Sequence, residues 1–203
     1  MMKNWMVAVG VVLAFMQVPA SLAAGNAFLG KEKSESCADC HGVDGNSGEA
    51  IFPKLAGQGE AYLLKQLRDF KSGARPSDFM ASIAAELTDQ DMADMSAYYA
   101  ANTSTPGAVS ESLLEAGKQV YQAGNKKSGV PACMACHGPN GYGFPAAKWP
   151  ALSGQNIYYV ELQLQAFADG KRKNDPNGMM QDIAARLSKD ELKAVSAYVS
   201  GLH

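Results

Sequence analysis

The 203-residue chain holds four cysteines, and they come as two close pairs, each with a histidine directly behind it: Cys37-Ala38-Asp39-Cys40-His41 and Cys133-Met134-Ala135-Cys136-His137. A disulfide redox pair at this spacing normally sits beside a βαβ pattern, and no segment of this sequence shows clear period-two alternation. A zinc ion needs four ligands, and each motif supplies three. One zinc shared by all four cysteines would leave both histidines without a task. A disulfide inside each pair would close a tight, strained ring. Covalent haem attachment uses every residue: each sulfur adds to one vinyl group, and the following histidine turns its ring to the iron. The motifs therefore predict two haem c groups, attached through Cys37, Cys40, Cys133 and Cys136, with His41 and His137 as axial ligands.

The remaining axial ligands follow by elimination. The only other histidine is the terminal His203, expected to be solvated, so bis-histidine ligation at both irons is excluded within one chain. Methionine is the next candidate, and it raises the reduction potential. Met134 lies inside a cysteine pair and cannot reach the far face of the haem. Met92 and Met95 sit in a helical stretch beside Tyr98 and Tyr99 and read as core packing. Aligning the stretch before each final helix pairs Met80 with Met180, and Phe79 with Met179. The axial methionines are therefore expected to be Met80 and Met180, with Met179 as the competitor at the second site. Pro53 and Pro150 stand at matching places, where a carbonyl could take the histidine Nδ1–H and fix the ring. Phe52 and Trp149 match as pocket walls. Tyr62 and Tyr159 match as lining residues or propionate partners. Arg75 and Arg172 match as partners of a propionate or of the other half.

These residues recur because the chain is a tandem repeat. The cysteine motifs are offset by 96 residues. Pro53-Lys54-Leu55-Ala56-Gly57-Gln58 recurs as Pro150-Ala151-Leu152-Ser153-Gly154-Gln155 at 97, as do Tyr62, Gln66, Leu67, Phe70, Gly73 and Arg75. Met80, Leu87, Ala97 and Tyr98 recur at 100. Apolar residues at helical spacing predict helices over Glu60–Ser72, Ile157–Asp169 and Leu113–Gln122. Thr88-x-x-Asp91 and Ser188-x-x-Glu191 are capping boxes that open the last helix of each repeat. The fold class expected is all-α, two small domains in series: residues 24–103 and 111–203, joined by a short linker over 104–110, within the stretch Ala101–Ser110 that is rich in Ala, Ser, Thr and Gly with one Pro.

Residues 1–23 read as a cleaved signal peptide, with Lys3, a short apolar run and a small-x-small pattern at Ser21 to Ala23. An apolar fraction of 47% supports a core, and a pI near 5.9 argues against nucleic-acid binding. Residues 24–105 carry 7 Lys+Arg against 12 Asp+Glu, and residues 106–203 carry 10 against 8. That polarity could steer docking. Lys171-Arg172-Lys173 is the densest basic cluster and a candidate contact for an acidic partner or membrane surface.

The sequence resembles the dihaem cytochrome c4 family, built from tandem class I cytochrome c domains. The resemblance rests on Gly42-Val43-Asp44-Gly45-Asn46-Ser47, on Phe52 through Gln58, on Tyr62-Leu63-Leu64-Lys65-Gln66-Leu67 and on the ending from Leu187 to His203. It implies two domains about a pseudo-twofold axis with haem edges close across the interface. It implies thioethers at Cys37, Cys40, Cys133 and Cys136 and axial ligands at His41, Met80, His137 and Met180. The segment before Met80 is shorter than in some members, so the interface loop is expected to differ. The function implied is a periplasmic electron carrier rather than an enzyme. It would pass single electrons from a respiratory-chain donor complex to a terminal oxidase or reductase, as a monomer with peripheral inner-membrane association and no nucleic acid. The alternative is a dihaem electron-transfer subunit of a flavocytochrome-type dehydrogenase. A peroxidase would need an open iron and an acid–base side chain above it, and no spare histidine is offered.

Overall fold

The computed structural model describes residues 24–203, so the signal peptide assigned to residues 1–23 lies outside the described residues. The first half contains α1 (Ala27–Lys33), α2 (Glu35–His41), α3 (Glu60–Ser72), α4 (Asp78–Ala85) and α5 (Asp89–Ala101). The second contains α6 (Glu111–Ala123), α7 (Met134–His137), α8 (Ile157–Ala168), α9 (Met179–Ala184) and α10 (Lys189–Gly201), with 3-10 turns at Pro145–Ala147 and Pro176–Gly178. Among the described residues, extended pairing is confined to two isolated bridges, Asn125–Val130 and Phe144–Trp149. The all-α class is thus as the sequence predicts.

The local signals act as expected. In both capping boxes the cap hydroxyl accepts the N3 backbone N–H while the N3 carboxylate accepts the cap N–H: Thr88 with Asp91 and Ser188 with Glu191. The middle helix α3 ends at Gly73, and α8 stops one residue before the predicted Asp169, which caps it. The sequence did not announce α1, α4 or α9. Each has eight residues or fewer, too few turns to show a period.

In each half the first helix crosses the last, α1 on α5 and α6 on α10, while the middle helices α3 and α8 pack on the last ones. The crossings are made at Gly30 and Gly117. A Cβ added to Gly30 would lie 2.0 Å from the Asp94 carbonyl oxygen, and one on Gly117 2.2 Å from that of Ala194. Only a residue without a side chain lets the backbones approach this closely. The second half fills its core with Val120, Tyr121, Val160, Val195 and Val199. The first buries Met92, Met95 and Tyr99. The second half also carries a longer approach to its cysteine motif, the loop 124–132. It is held by Asn125 donating to Glu191 at 2.6 Å and Arg186 donating to the Gly129 carbonyl at 3.1 Å.

Candidate haem sites and the interface between them

The helix α2 presents Cys37 and, one turn on, Cys40 and His41, and the short α7 presents Cys136 and His137, with Cys133 at its N-cap. All four thiols are free of disulfides. Burial pushes the thiols of Cys37 and Cys133 up, the latter to about 11. His41 and His137 are 8% and 7% exposed. The Nδ1 of His41 lies 2.9 Å from the Pro53 carbonyl, and that of His137 lies 2.9 Å from the Pro150 carbonyl. A carbonyl can only accept, so Nδ1 carries the proton and Nε2 is the nitrogen left to face a metal. Burial lowers both histidine pKa values, outweighing the opposing carbonyl bonds, and keeps the rings in the neutral form that binds metal.

These histidines open onto one continuous cavity of about 700 Å³ that runs through both halves. Its walls include the cysteines Cys37, Cys133 and Cys136, and the methionines Met80 and Met180 from α4 and α9. Phe52 and Trp149 line it as expected, and the Phe52 ring meets the His41 imidazole edge-on at 6.2 Å. Met80 is placed by Ser77, whose hydroxyl accepts the Met80 N–H at 3.3 Å. Met180 is placed by Asp175, which accepts its N–H at 2.7 Å and that of Gln181 at 3.2 Å. Met179 and Phe79 also border the cavity but are 38% and 58% exposed. Met92 is buried away from the cavity, and Met134 packs on the second core. Met95 is buried at the cavity wall, where its counterpart is the apolar Val195. A deep, largely apolar slot lined by Cys37, His41 and Met80 in the first half and by Cys133, Cys136, His137 and Met180 in the second, with Cys40 one turn along α2 from Cys37 but off the cavity wall, fits two covalently bound haems.

The halves meet along a second set of repeated residues. Arg75 donates to Gln66 of its own half and across to the Tyr159 hydroxyl and Gln163, all at 2.8 Å. Arg172 donates to Gln163 at 2.8 Å and across to the Tyr62 hydroxyl at 3.0 Å and Gln66 at 3.1 Å. Each guanidinium also lies over a phenyl ring of its own half, Phe70 at 4.6 Å and Phe167 at 4.5 Å. Both arginines are 7% exposed, so the basic run Lys171-Arg172-Lys173 is not a surface cluster: its middle member points inward. Around Tyr62, burial raises the phenol pKa, but Arg172 and Arg75 outweigh it and the net shift is downward. The arginines thus serve the contact between halves, one of the two roles their recurrence allowed; the tyrosines line the cavity as expected and also accept from the opposite arginine, a contact their recurrence did not announce.

Symmetry fails at the loop before the second methionine. Six residues separate Gly73 from Met80 and nine separate Gly170 from Met180. The longer loop brings Asn174 across to Gln66 at 2.9 Å and Asp69 at 2.6 Å, and its carbonyl accepts from Lys65 at 2.8 Å.

The cytochrome c family model matches residues 23–101 and 114–203. A cytochrome c4 from Azotobacter vinelandii is 46% identical over 191 residues, covering 89% of this chain and 91% of that protein. The chain belongs to the dihaem cytochrome c4 family. A crystal structure of reduced recombinant cytochrome c4 from Pseudomonas stutzeri superposes with a TM-score of 0.86 at 42% identity, covering 89% of this chain and all of that one. A thiosulfate dehydrogenase electron acceptor from Stutzerimonas stutzeri is 41% identical over 171 residues, covering 82% of this chain and 79% of that protein. This cytochrome c is an electron-transfer protein with two tandem domains and two covalently bound haem c groups. Gln58, Gln66, Gln155 and Gln163 were visible in the sequence only as recurring letters; their recurrence was the signal, and their role needed the interface.

Proposed function

We propose that this protein carries single electrons between redox proteins in the periplasm, from a respiratory-chain donor to a terminal oxidase or reductase, and catalyses no reaction of its own. In this reading Cys37, Cys40, Cys133 and Cys136 attach the haems, His41 and Met80 ligate the first iron, and His137 and Met180 the second. The bound haems supply the one-electron chemistry. The chain does the rest: Pro53 and Pro150 hold the imidazoles neutral and oriented, Ser77 and Asp175 set the methionine-bearing helices, and the apolar walls keep water from the irons. The observation that supports the reading is one cavity that each half lines with thiol, imidazole and thioether, Cys37, His41 and Met80 in the first and Cys133, Cys136, His137 and Met180 in the second, an arrangement that would leave no iron position for a substrate. The domains are taken as residues 24–103 and 111–203, with 104–110 as linker and export directed by residues 1–23. Among the described residues no helix is long and apolar enough to cross a membrane, and membrane association is proposed to be peripheral. The protein is proposed to act as a monomer.

The optical spectrum tests this reading. Two haems per chain in a pyridine haemochrome assay, a methionine–iron charge-transfer band and no response to CO are expected. CO binding or a high-spin band at either haem would mean an open iron and would overturn the carrier reading. The relative named as a thiosulfate dehydrogenase electron acceptor favours a second reading, in which the protein serves a dehydrogenase as its electron-accepting subunit. Co-purification of a dehydrogenase with the native protein would select it; a chain recovered alone at full yield would not.

A further inference from the structure

The two loops that hold the axial histidines are each gripped by the opposite domain. The Pro53–Lys54 peptide accepts from His41 Nδ1 through its oxygen, and its N–H donates to Gln155 Oε1 at 2.8 Å. The Gln155 amide also donates to the Lys54 carbonyl at 2.9 Å, which fixes its plane. The mirror arrangement is complete. The Pro150–Ala151 peptide accepts from His137 Nδ1, its N–H donates to Gln58 Oε1 at 2.7 Å, and Gln58 Nε2 donates to the Ala151 carbonyl at 3.0 Å. Each glutamine is 7% exposed, so water does not compete for these bonds. Each follows a glycine at φ 69° or 72°, whose N–H is tied at 3.0 Å to the last helix of its own domain, at Tyr99 or Val199. Each Oε1 also accepts the next N–H in its own chain, at Gly59 or Asn156, which sets its aim.

We propose that Gln155 and Gln58 are cross-domain positioning residues, each setting through one peptide unit the donor strength of the histidine in the other domain. The inference rests on His41 and His137 being the axial ligands. An amide whose N–H is donated carries more negative charge on its oxygen, and bonds in such a chain strengthen one another by roughly 10–30% each. A stronger acceptor draws the Nδ1 proton, makes the imidazole a better donor to ferric iron and lowers the potential of that haem. The glutamine in the second domain thus tunes the first haem, and the glutamine in the first domain tunes the second. Undocking the domains would then raise both potentials, and a carrier docked through its interface would report that contact at its irons.

The test is Gln155→Leu and Gln58→Leu in the haem-loaded full chain, with haem-resolved redox titration and proton spectra of the ferric protein. In Gln155→Leu, at the wild-type midpoint of the first haem, its ferrous-to-ferric ratio should rise about threefold while the second haem stays put. The His41 Nδ1–H signal should move with it and exchange faster. Gln58→Leu should do the same to the second haem and His137, and it answers the question alone if the other variant does not accumulate. Equal shifts of both haems, a shift on the glutamine's own side, or none in a protein with both haems attached would overturn the relay and leave packing as the glutamines' role. Absence of paramagnetically shifted signals from two axial histidines in the unaltered protein would instead overturn the ligand assignment, and the relay with it.

Discussion

In the first domain Tyr99, on α5, lies against Tyr98 with ring centroids 5.0 Å apart and planes inclined by 49°. At the matching place of the second domain stands Val199, and the second ring comes from the facing helix: Tyr121, on α6, meets Tyr198 at 5.4 Å and 45°. In the register of the two crossing glycines, Tyr121 corresponds to Ser34. One aromatic ring is needed between the first and last helices, and either helix can supply it. The polar contents of the two contacts differ more. Asp94 of the first domain is fully buried and accepts from Asn26 N at 2.8 Å, Lys33 at 2.7 Å and Gln90 at 2.9 Å. Its counterpart is the apolar Ala194. An aromatic ring is therefore kept at the crossing in both domains, while the electrostatics that tie the helices together diverge.

The strongest test of equivalence is at the irons. Met80→Ala and Met180→Ala should each leave both haems attached, remove half of the methionine–iron charge-transfer band and lower one potential by on the order of 0.2 V, out of the roughly 0.8 V that axial ligands span. Redox titration of the two variants would show whether the loss stays in one domain; an unaltered band in Met180→Ala would point to Met179. Next in size, Gly30→Ala and Gly117→Ala should each destabilise by about 3 kcal/mol in denaturant melts, because the new methyl would meet backbone rather than a movable side chain. Equal losses would mean that the crossings are interchangeable.

The sharper contrast is Asp94→Ala, expected to destabilise the first domain by about 2 kcal/mol through the orphaned Asn26 N–H and the emptied space. The same contact has a pH signature. Lys33 and Thr88 hold the Asp91 carboxyl at about 2, against an ordinary value of 3.8. The unfolded chain binds this proton more readily, so the stability lent by Asp91 is complete above about pH 4 and drains as pH falls toward 2. Glu191 in the second domain is also held low, first by Asn125, but its partner is neutral. Amide exchange should therefore show α1 loosening with added salt at neutral pH, and α6 unmoved. Smallest of all, Tyr121→Phe should lose about 1 kcal/mol, since its hydroxyl donates to the Gly138 carbonyl at 2.6 Å. Tyr99→Phe should be near neutral, because its hydroxyl has no partner in hydrogen-bonding geometry among the described residues. A larger loss at Tyr99 would reverse this part of the comparison.

Much of this could be read from residue types because the chemistry is written twice. The repeat located the histidine loops, paired Met80 with Met180 across an offset, and marked Arg75 and Arg172 as meaningful even though their partners were ambiguous. The capping boxes were legible because they are local. The short helices carrying the methionines were not, since stretches of eight and six residues show no period. Nor was the burial of Arg172, which sits between two lysines and looks like a solvated helix end until the opposite domain is packed against it. The role of Asn174 was hidden for the same reason: it belongs to the loop that the repeat lacks, so nothing in the first half points to its contact with Gln66 and Asp69.

The glycine crossings also set a schedule. Gly30 and the Asp94 carbonyl are 64 residues apart in sequence, and Gly117 and the Ala194 carbonyl are 77. Each domain therefore closes only when its last helix is present, and no early fragment of it has a complete core. A chain delivered N-terminus first completes the first domain when Ala101 arrives, about 100 residues before the second is finished at Gly201. A chain that emerges from export in this order passes through an interval in which only the first domain can close. Throughout it the first domain stands alone, with Arg75, Tyr62 and Gln58 turned to water, so the surface that ends buried between the domains must first be soluble. A wholly apolar seam would adhere to other chains during that wait; one made of arginine, tyrosine and glutamine stays hydrated until its twin emerges.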